Sequence, residues 1–380
     1  MKKHLIPLLA VAAVLSLALS CSHGPQNAEK QSETDSLLRA AADAEDYERV
    51  IVLADSLEQT GNISPFRSAF YRGRAYKNLG DFRHTEEVVK PVMDMTPTTS
   101  QDSAYYIECL CVMAELLNVK GDFEGVLRIA LPLVEKMNDA EGEKNRNFGP
   151  LTEFVGSAQL SLGMKEDAGK SFDMSYNFRQ EQSVANPIWS NITSVFVCAY
   201  NIYNRYQGVG DFEGSMKWYH RQDSILAILS ERDDVPASVL DRFVAGNSIA
   251  RAELAIRSEN MAEANRAIAD YWKTERSKTI GGQIDGAELL LYAKRYAEAA
   301  DAYALLDQFF AEFNMDASLD NLKSYCVNKF NANYMAGRRD SALAVAAYVF
   351  ENLDSAITKE KNSATAELAT VYQTQQKDAE

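Results

Sequence analysis

The residues best suited to do chemistry are three cations in an acidic chain. Arg67, Arg74 and Lys77 follow one another at spacings of seven and three, which sets them on one face of a helix. Such a face receives a carboxylate or an acidic peptide, or stays solvated as a charged surface. A second set, Tyr200, Tyr203, Tyr206, Trp218 and Tyr219, offers flat rings on which a ligand stacks, but the helical spacing favours core packing. Patterns for catalysis are absent from the sequence. Gly281, Gly282 and Gly286 lack the GKS or GKT ending of a phosphate loop, no GxSxG elbow occurs, and the 4 histidines show neither HxxxH nor HExxH spacing. With no CxxC pair either, the expectation is a non-enzyme with no cofactor and no metal site.

The 380 residues carry 39 Lys and Arg against 54 Asp and Glu, a net charge of -15, which excludes nucleic acid as a partner because phosphate binding needs a basic surface. A hydrophobic fraction of 46% is that of a folded chain. Lys2 and Lys3 precede an apolar run from Leu5 to Ser20, too short to span a membrane and of the length of a secretory signal, so residues 1–20 read as a signal peptide. The stretch Leu17-Ala18-Leu19-Ser20-Cys21 resembles a bacterial lipoprotein lipobox, with Ala18 where that pattern more often has leucine. The resemblance implies that Cys21 is diacylated and begins the mature chain, tied stably to a membrane by several acyl chains. Polar, unpatterned residues then make a tether, so that 21–34 are the lipidated cysteine and its linker. In lipoproteins of the Bacteroidota type, export to the surface follows an acidic cluster right after the cysteine; the first acid here is Glu29, which favours a periplasm-facing location in the cell envelope. Cys109, Cys111, Cys198 and Cys326 read as buried thiols, since Cys109 and Cys111 point to different sides of one helix and do not pair.

Residues 35–355 repeat. The clearest unit is Phe70-Tyr71-Arg72-Gly73-Arg74-Ala75-Tyr76-Lys77-Asn78-Leu79-Gly80-Asp81-Phe82, followed by a second amphipathic stretch that ends before Pro97. Its turn recurs at Gly121, Gly163, Gly210, Glu259, Lys294 and Gly337, with a degenerate first copy at Glu45. Small residues stand upstream at Gly73, Ala114, Gly156, Ala252 and Ala287, and downstream at Ala168, Ala264, Ala299 and Ala342, with Thr85 in the downstream place of the clearest unit. Small contact residues let the two helices of a unit cross closely, and the turn needs a residue that tolerates positive φ.

The pattern resembles the tetratricopeptide repeat. The resemblance implies an all-α, right-handed superhelical solenoid of about seven to eight helix-turn-helix repeats, each burying its apolar face against its neighbours. It also implies a groove lined by the first helix of each unit. The matching positions are Arg67, Arg74 and Lys77, then Glu108, Glu115 and Asn118, then Tyr200, Asn201 and Asn204, then Glu253 and Arg257, and finally Glu288 and Asn331. Chaperone-binding members of the family clamp a carboxylate there with a lysine and an asparagine; this chain has Phe70 and Arg74 instead.

Residues 356–380 form a C-terminal amphipathic helix, with Ile357, Ala364, Leu368 and Val371 near heptad positions and no glycine or proline stop before Glu380. This segment either caps the array or, by its resemblance to periplasmic tetratricopeptide sensor proteins, continues as a coiled coil toward an output domain. The expected function is a membrane-tethered scaffold that binds a protein or peptide partner in the cell envelope, as the ligand-sensing input of a signalling system of the two-component kind. The alternative is a free-standing lipoprotein subunit of an outer-membrane or periplasmic assembly complex.

Overall fold

A computed structural model describes residues 36–139, 144–313 and 318–379, and every regular element among them is helical. The segments assigned to signal peptide, Cys21 and tether, residues 1–34, lie outside the described residues. After helical residues 36–43 come α1 (Tyr47–Gln59), α2 (Pro65–Asn78), α3 (Phe82–Met93), α4 (Ser100–Lys120), α5 (Phe123–Asn138), α6 (Phe148–Ser161), α7 (Lys165–Ala185) and α8 (Trp189–Gly208). Then follow α9 (Phe212–Ser230), α10 (Ala237–Arg257), α11 (Met261–Tyr271), α12 (Ile280–Tyr292), α13 (Tyr296–Phe313), α14 (Val327–Met335) and α15 (Arg339–Ala379). Two compact units divide the chain after Leu116. The first holds the helices up to α3 and most of α4; the second starts with the last turn of α4 and runs through α15.

The turns show why the chain folds as pairs. All eight turn positions read from the sequence have positive φ: Glu45, Gly80, Gly121, Gly163, Gly210, Glu259, Lys294 and Gly337. In the second pair the Gly80 amide donates to the Lys77 carbonyl at 3.0 Å and the Asp81 amide to the Tyr76 carbonyl at 2.9 Å, so the last carbonyls of α2 are satisfied by the turn itself. Asp81 then accepts from the His84 amide and starts α3. Asp46, Asp122, Asp211 and Asn260 do the same for α1, α5, α9 and α11. The recurring Gly-Asp-Phe is therefore a stop, a cap and the first helical residue in sequence.

Packing explains the small residues. Seven positions before the turn stand Gly73, Ala114, Gly156, Ala252 and Ala287, all buried, and five positions after it stand Thr85, Val126, Ala168, Ser215, Ala264, Ala299 and Ala342, also buried. A Cβ on Gly156 would lie 2.7 Å from the Phe172 ring, and one on Gly73 would strike Val89. Thr85 and Ser215 fit the second set because their hydroxyls donate back to Asp81 and Asp211 carbonyls at 2.8 and 2.7 Å. In the fifth pair the sizes are exchanged: α8 carries Tyr203 and Tyr206, and α9 answers with Gly214 and Ser215. Helix α15 runs without a break across residue 355, where the sequence suggested that a separate terminal helix begins, and its Ala356 still belongs to the core. The side chains of Ala364, Leu368 and Val371 lie outside the described ones.

Candidate functional site

The first helices of successive pairs meet through a polar row. The residue three before one turn bonds the residue six before the next: Lys77 with Glu115 at 2.5 Å, Asn118 with Ser157 at 3.0 Å, and Gln207 with Glu253 at 3.3 Å. This arrangement uses up much of the groove expected from the sequence. Arg67, expected on an open face, is 2% exposed with its guanidinium 5.7 Å from the Tyr105 ring, so burial corrects that assignment. Asn118 is likewise buried, because Ser157 donates to it. Lys77 is paired with Glu115, Glu108 is half-buried, and of the basic trio Arg74 alone is well exposed. The three cations thus do not converge on one ligand.

In the second unit the same positions build a denser cluster. Tyr203 donates to Glu253 at 2.6 Å, and Gln207 donates to the Tyr203 hydroxyl at 2.8 Å. Arg257 donates to the Gln207 side-chain oxygen and to the Gly210 carbonyl, and its guanidinium sits 5.5 Å from the Phe212 ring. Burial pushes the Glu253 carboxyl above the usual glutamate range, against the hydrogen bonds from Tyr203 and Gln207 that favour its charged form. Tyr200 is half-buried, stacked near Phe196 and close against Gly246 of α10, and burial raises its phenol. Asn204, beside it, is exposed. One pair further on, Tyr292 donates to Glu288 at 2.6 Å and Asn328 donates to the same oxygen at 3.3 Å. On the α6 side, Glu153 takes Arg179 at 2.9 Å and Asn201 at 2.9 Å.

Of the expected aromatic set, Tyr203, Tyr206, Trp218 and Tyr219 are core residues, as their spacing indicated, and Tyr200 borders the cluster. Gln207, Tyr292 and Asn328 escaped the sequence reading. For Gln207 a signal existed, since it stands three residues before Gly210, as Lys77 and Asn118 stand before Gly80 and Gly121. Cys109, Cys198 and Cys326 are buried free thiols, and burial pushes the first two up to about 12, which keeps them unreactive. Among the described residues no group of three or more His, Cys, Asp or Glu is placed to hold a metal, and no helix is long and apolar enough to cross a membrane.

A cleft of about 650 Å³ opens elsewhere in this unit, between α9, α10 and the end of α11. It exists because α11 is 11 residues long beside the 19 of α9. Its charges are already engaged: Arg251 and Lys273 hold Asp270, and Asp241 accepts the Glu275 and Arg276 amides.

Neither a protein-family model nor a curated protein matches the chain. Among solved structures, the chain is similar to the crystal structure of the APC/C hetero-tetramer Cut9-Hcn1, at 12% identity and a TM-score of 0.31, over 96% of this chain and 89% of that one. It is also similar to yeast Tom70, at 11% identity and a TM-score of 0.19, over 91% and 90%. Overlaps this loose carry no inference about this chain. Its eight positive-φ turns and the paired small residues carry the assignment instead: the fold is an all-α array of tetratricopeptide-like helical pairs.

Proposed function

We propose that this protein is a non-catalytic scaffold that binds a protein or peptide partner along the first-helix side of its second unit. The observation that carries this reading is the tyrosine-carboxylate row of α8, α10 and α12, in which Tyr203 and Gln207 hold the half-buried Glu253, Arg257 holds Gln207, and Tyr292 holds Glu288. Side chains already fixed by one another lose little freedom when a partner docks, and the exposed Tyr292 ring, the half-buried Tyr200 ring and the half-buried carboxylates supply both contact area and acceptors for backbone or basic donors. Tyr200 and Asn204 border the row on α8 and complete the contact surface.

The reading extends to location. The lipobox-like Cys21 tethers the chain to an envelope membrane, and the scaffold serves as the sensing region of an envelope signalling system; the alternative is a lipoprotein subunit of an outer-membrane or periplasmic assembly complex. A photo-crosslinking residue at Asn204, compared with one at Arg128 on α5, tests the surface in intact cells. A partner captured from Asn204 alone supports the row, and its identity as a membrane-spanning kinase or an assembly component separates the two roles. Equal capture from both sites would end the proposal. For the tether, Cys21→Ala is expected to move the protein from the membrane to the soluble fraction, and retention in the membrane would remove the lipid anchor from the account.

A further inference from the structure

Inner junctions of the array follow a fixed register counted from the turns. The residue thirteen after one turn meets the residue eight before the next: Glu58 with Arg72 at 3.7 Å, Trp272 against Gly286, and Asp307 with Lys329 at 2.6 Å. The residue twelve after one turn meets the residue twelve before the next: Ser175 with Cys198 at 3.6 Å, Gln222 with Asn247 at 2.9 Å, and Tyr271 with the Gly282 carbonyl at 2.6 Å. Each contact thus joins the second helix of one pair to the first helix of the following pair, in both units.

The two ends of the array hold the unmatched halves of such a junction. After the last turn, Gly337, the thirteenth residue is Phe350, 77% exposed, and the twelfth is Val349, half-buried where Ser175, Gln222 and Tyr271 are buried. Three before that turn stands Tyr334, 60% exposed. Before the first turn, Glu45, the eighth residue back is Leu37, 48% exposed.

We propose that the first helix of a second copy of this chain covers the α14–α15 face, so that copies associate head to tail and the repeat continues from one molecule into the next. The register sets Leu37 of the second copy on Phe350, where inner junctions set arginine on glutamate, glycine on tryptophan or lysine on aspartate. These three inner matches are complementary in charge or size, and the terminal match is complementary in apolarity. Removing two large exposed apolar side chains from water at one point favours association. Such a contact is heterologous and leaves one free face at each end, so it builds chains or closed rings and no isologous pair.

Sedimentation velocity of the full chain in mild detergent, across a range of concentrations, tests this directly. Wild type is expected to grow beyond a dimer as concentration rises. Leu37→Glu and Phe350→Glu are each expected to stay monomeric, at least tenfold weaker in association, with melting curves unchanged because both residues are exposed. An equimolar mixture of the two variants is expected to form a dimer and nothing larger, since one intact face remains on each. Wild type that stays monomeric at every concentration overturns the proposal. So does a Leu37→Glu variant that still dimerises alone, because then two α15 faces pair with each other.

Discussion

The basic trio of α2 and the tyrosine-carboxylate cluster of α8 and α10 share two positions of the repeat, six and three before the turn, and meet different fates. On α2, Arg67 is buried under the Tyr105 ring and Lys77 is tied to Glu115, which leaves Arg74 exposed. On α8 and α10, Tyr203 and Gln207 converge on the Glu253 carboxylate, Arg257 bonds Gln207, and their neighbours Tyr200 and Asn204 reach the surface. The difference is one of size. At the close-approach position, seven before the turn, Gly73 has no side chain to reach out, whereas the Tyr203 ring carries its hydroxyl out to Glu253 on the next first helix. Charge spacing on one helix therefore does not reveal a binding face until the neighbouring helix is placed.

The largest effect should separate structural from surface cations. Arg67→Ala is expected to cost about 3 kcal/mol, since it removes a fully packed stem and leaves a cavity beside Tyr105. Arg74→Ala is expected to stay within about 0.5 kcal/mol of wild type, as exposed substitutions usually do. Chemical denaturation of the two variants checks this, and equal midpoints would put Arg67 back on the surface.

The turns supply the next comparison. Gly80 has φ +75° with open space around the site of a missing Cβ, so Gly80→Val is disfavoured by backbone conformation alone. A loss of about 1–2 kcal/mol is expected, and an unchanged melting curve would mean that the turn relaxes without cost. Glu259 has φ 57° in the equivalent turn and is exposed. Glu259→Gly should therefore stabilise by about 0.5 kcal/mol, the left-handed penalty of an L-residue less the extra chain entropy of glycine. Opposite signs at equivalent turns are the signature to look for in thermal melts.

These turns also show how much was legible in the sequence. Every positive-φ turn of a pair was readable: at Glu259 and Lys294 the flanking small residues kept register where glycine was missing, and at Glu45 the acidic-aromatic Asp46-Tyr47 that follows marked a degenerate copy. The small residues of the crossings were readable for the same reason: a local steric demand leaves a local mark. Contacts between successive pairs were not, because they join residues 38 to 50 apart and use lysine with glutamate, serine with asparagine, or tyrosine with glutamate as each junction allows. The burial of Arg67 and Asn118 and the role of Gln207 belong to this second kind. So does the continuity of α15, since Ser355 and Ala356 carry no helix-breaking signal and its end was sought in composition alone.

The smallest effect bears on the cluster itself. Burial holds the Glu253 carboxyl above the ordinary glutamate range, so the folded state favours the protonated form more than the unfolded state does. A raised folded pKa gives stability that is complete below the unfolded value, about 4.3, and is lost as pH rises through the folded value. Glu253→Gln keeps an acceptor for Tyr203 and removes the charge, so it should be more stable than wild type by less than about 1 kcal/mol at pH 7, with the gap closing toward pH 4. Lys77→Met, across the half-exposed pair with Glu115, is the surface control; its loss should stay near 0.5 kcal/mol. Melting temperatures of both variants measured from pH 4 to pH 8 decide it. A Glu253→Gln difference that grows toward acid would mean that the bonds from Tyr203 and Gln207 outweigh burial, and the carboxylate would then be an ionised anchor for a basic partner.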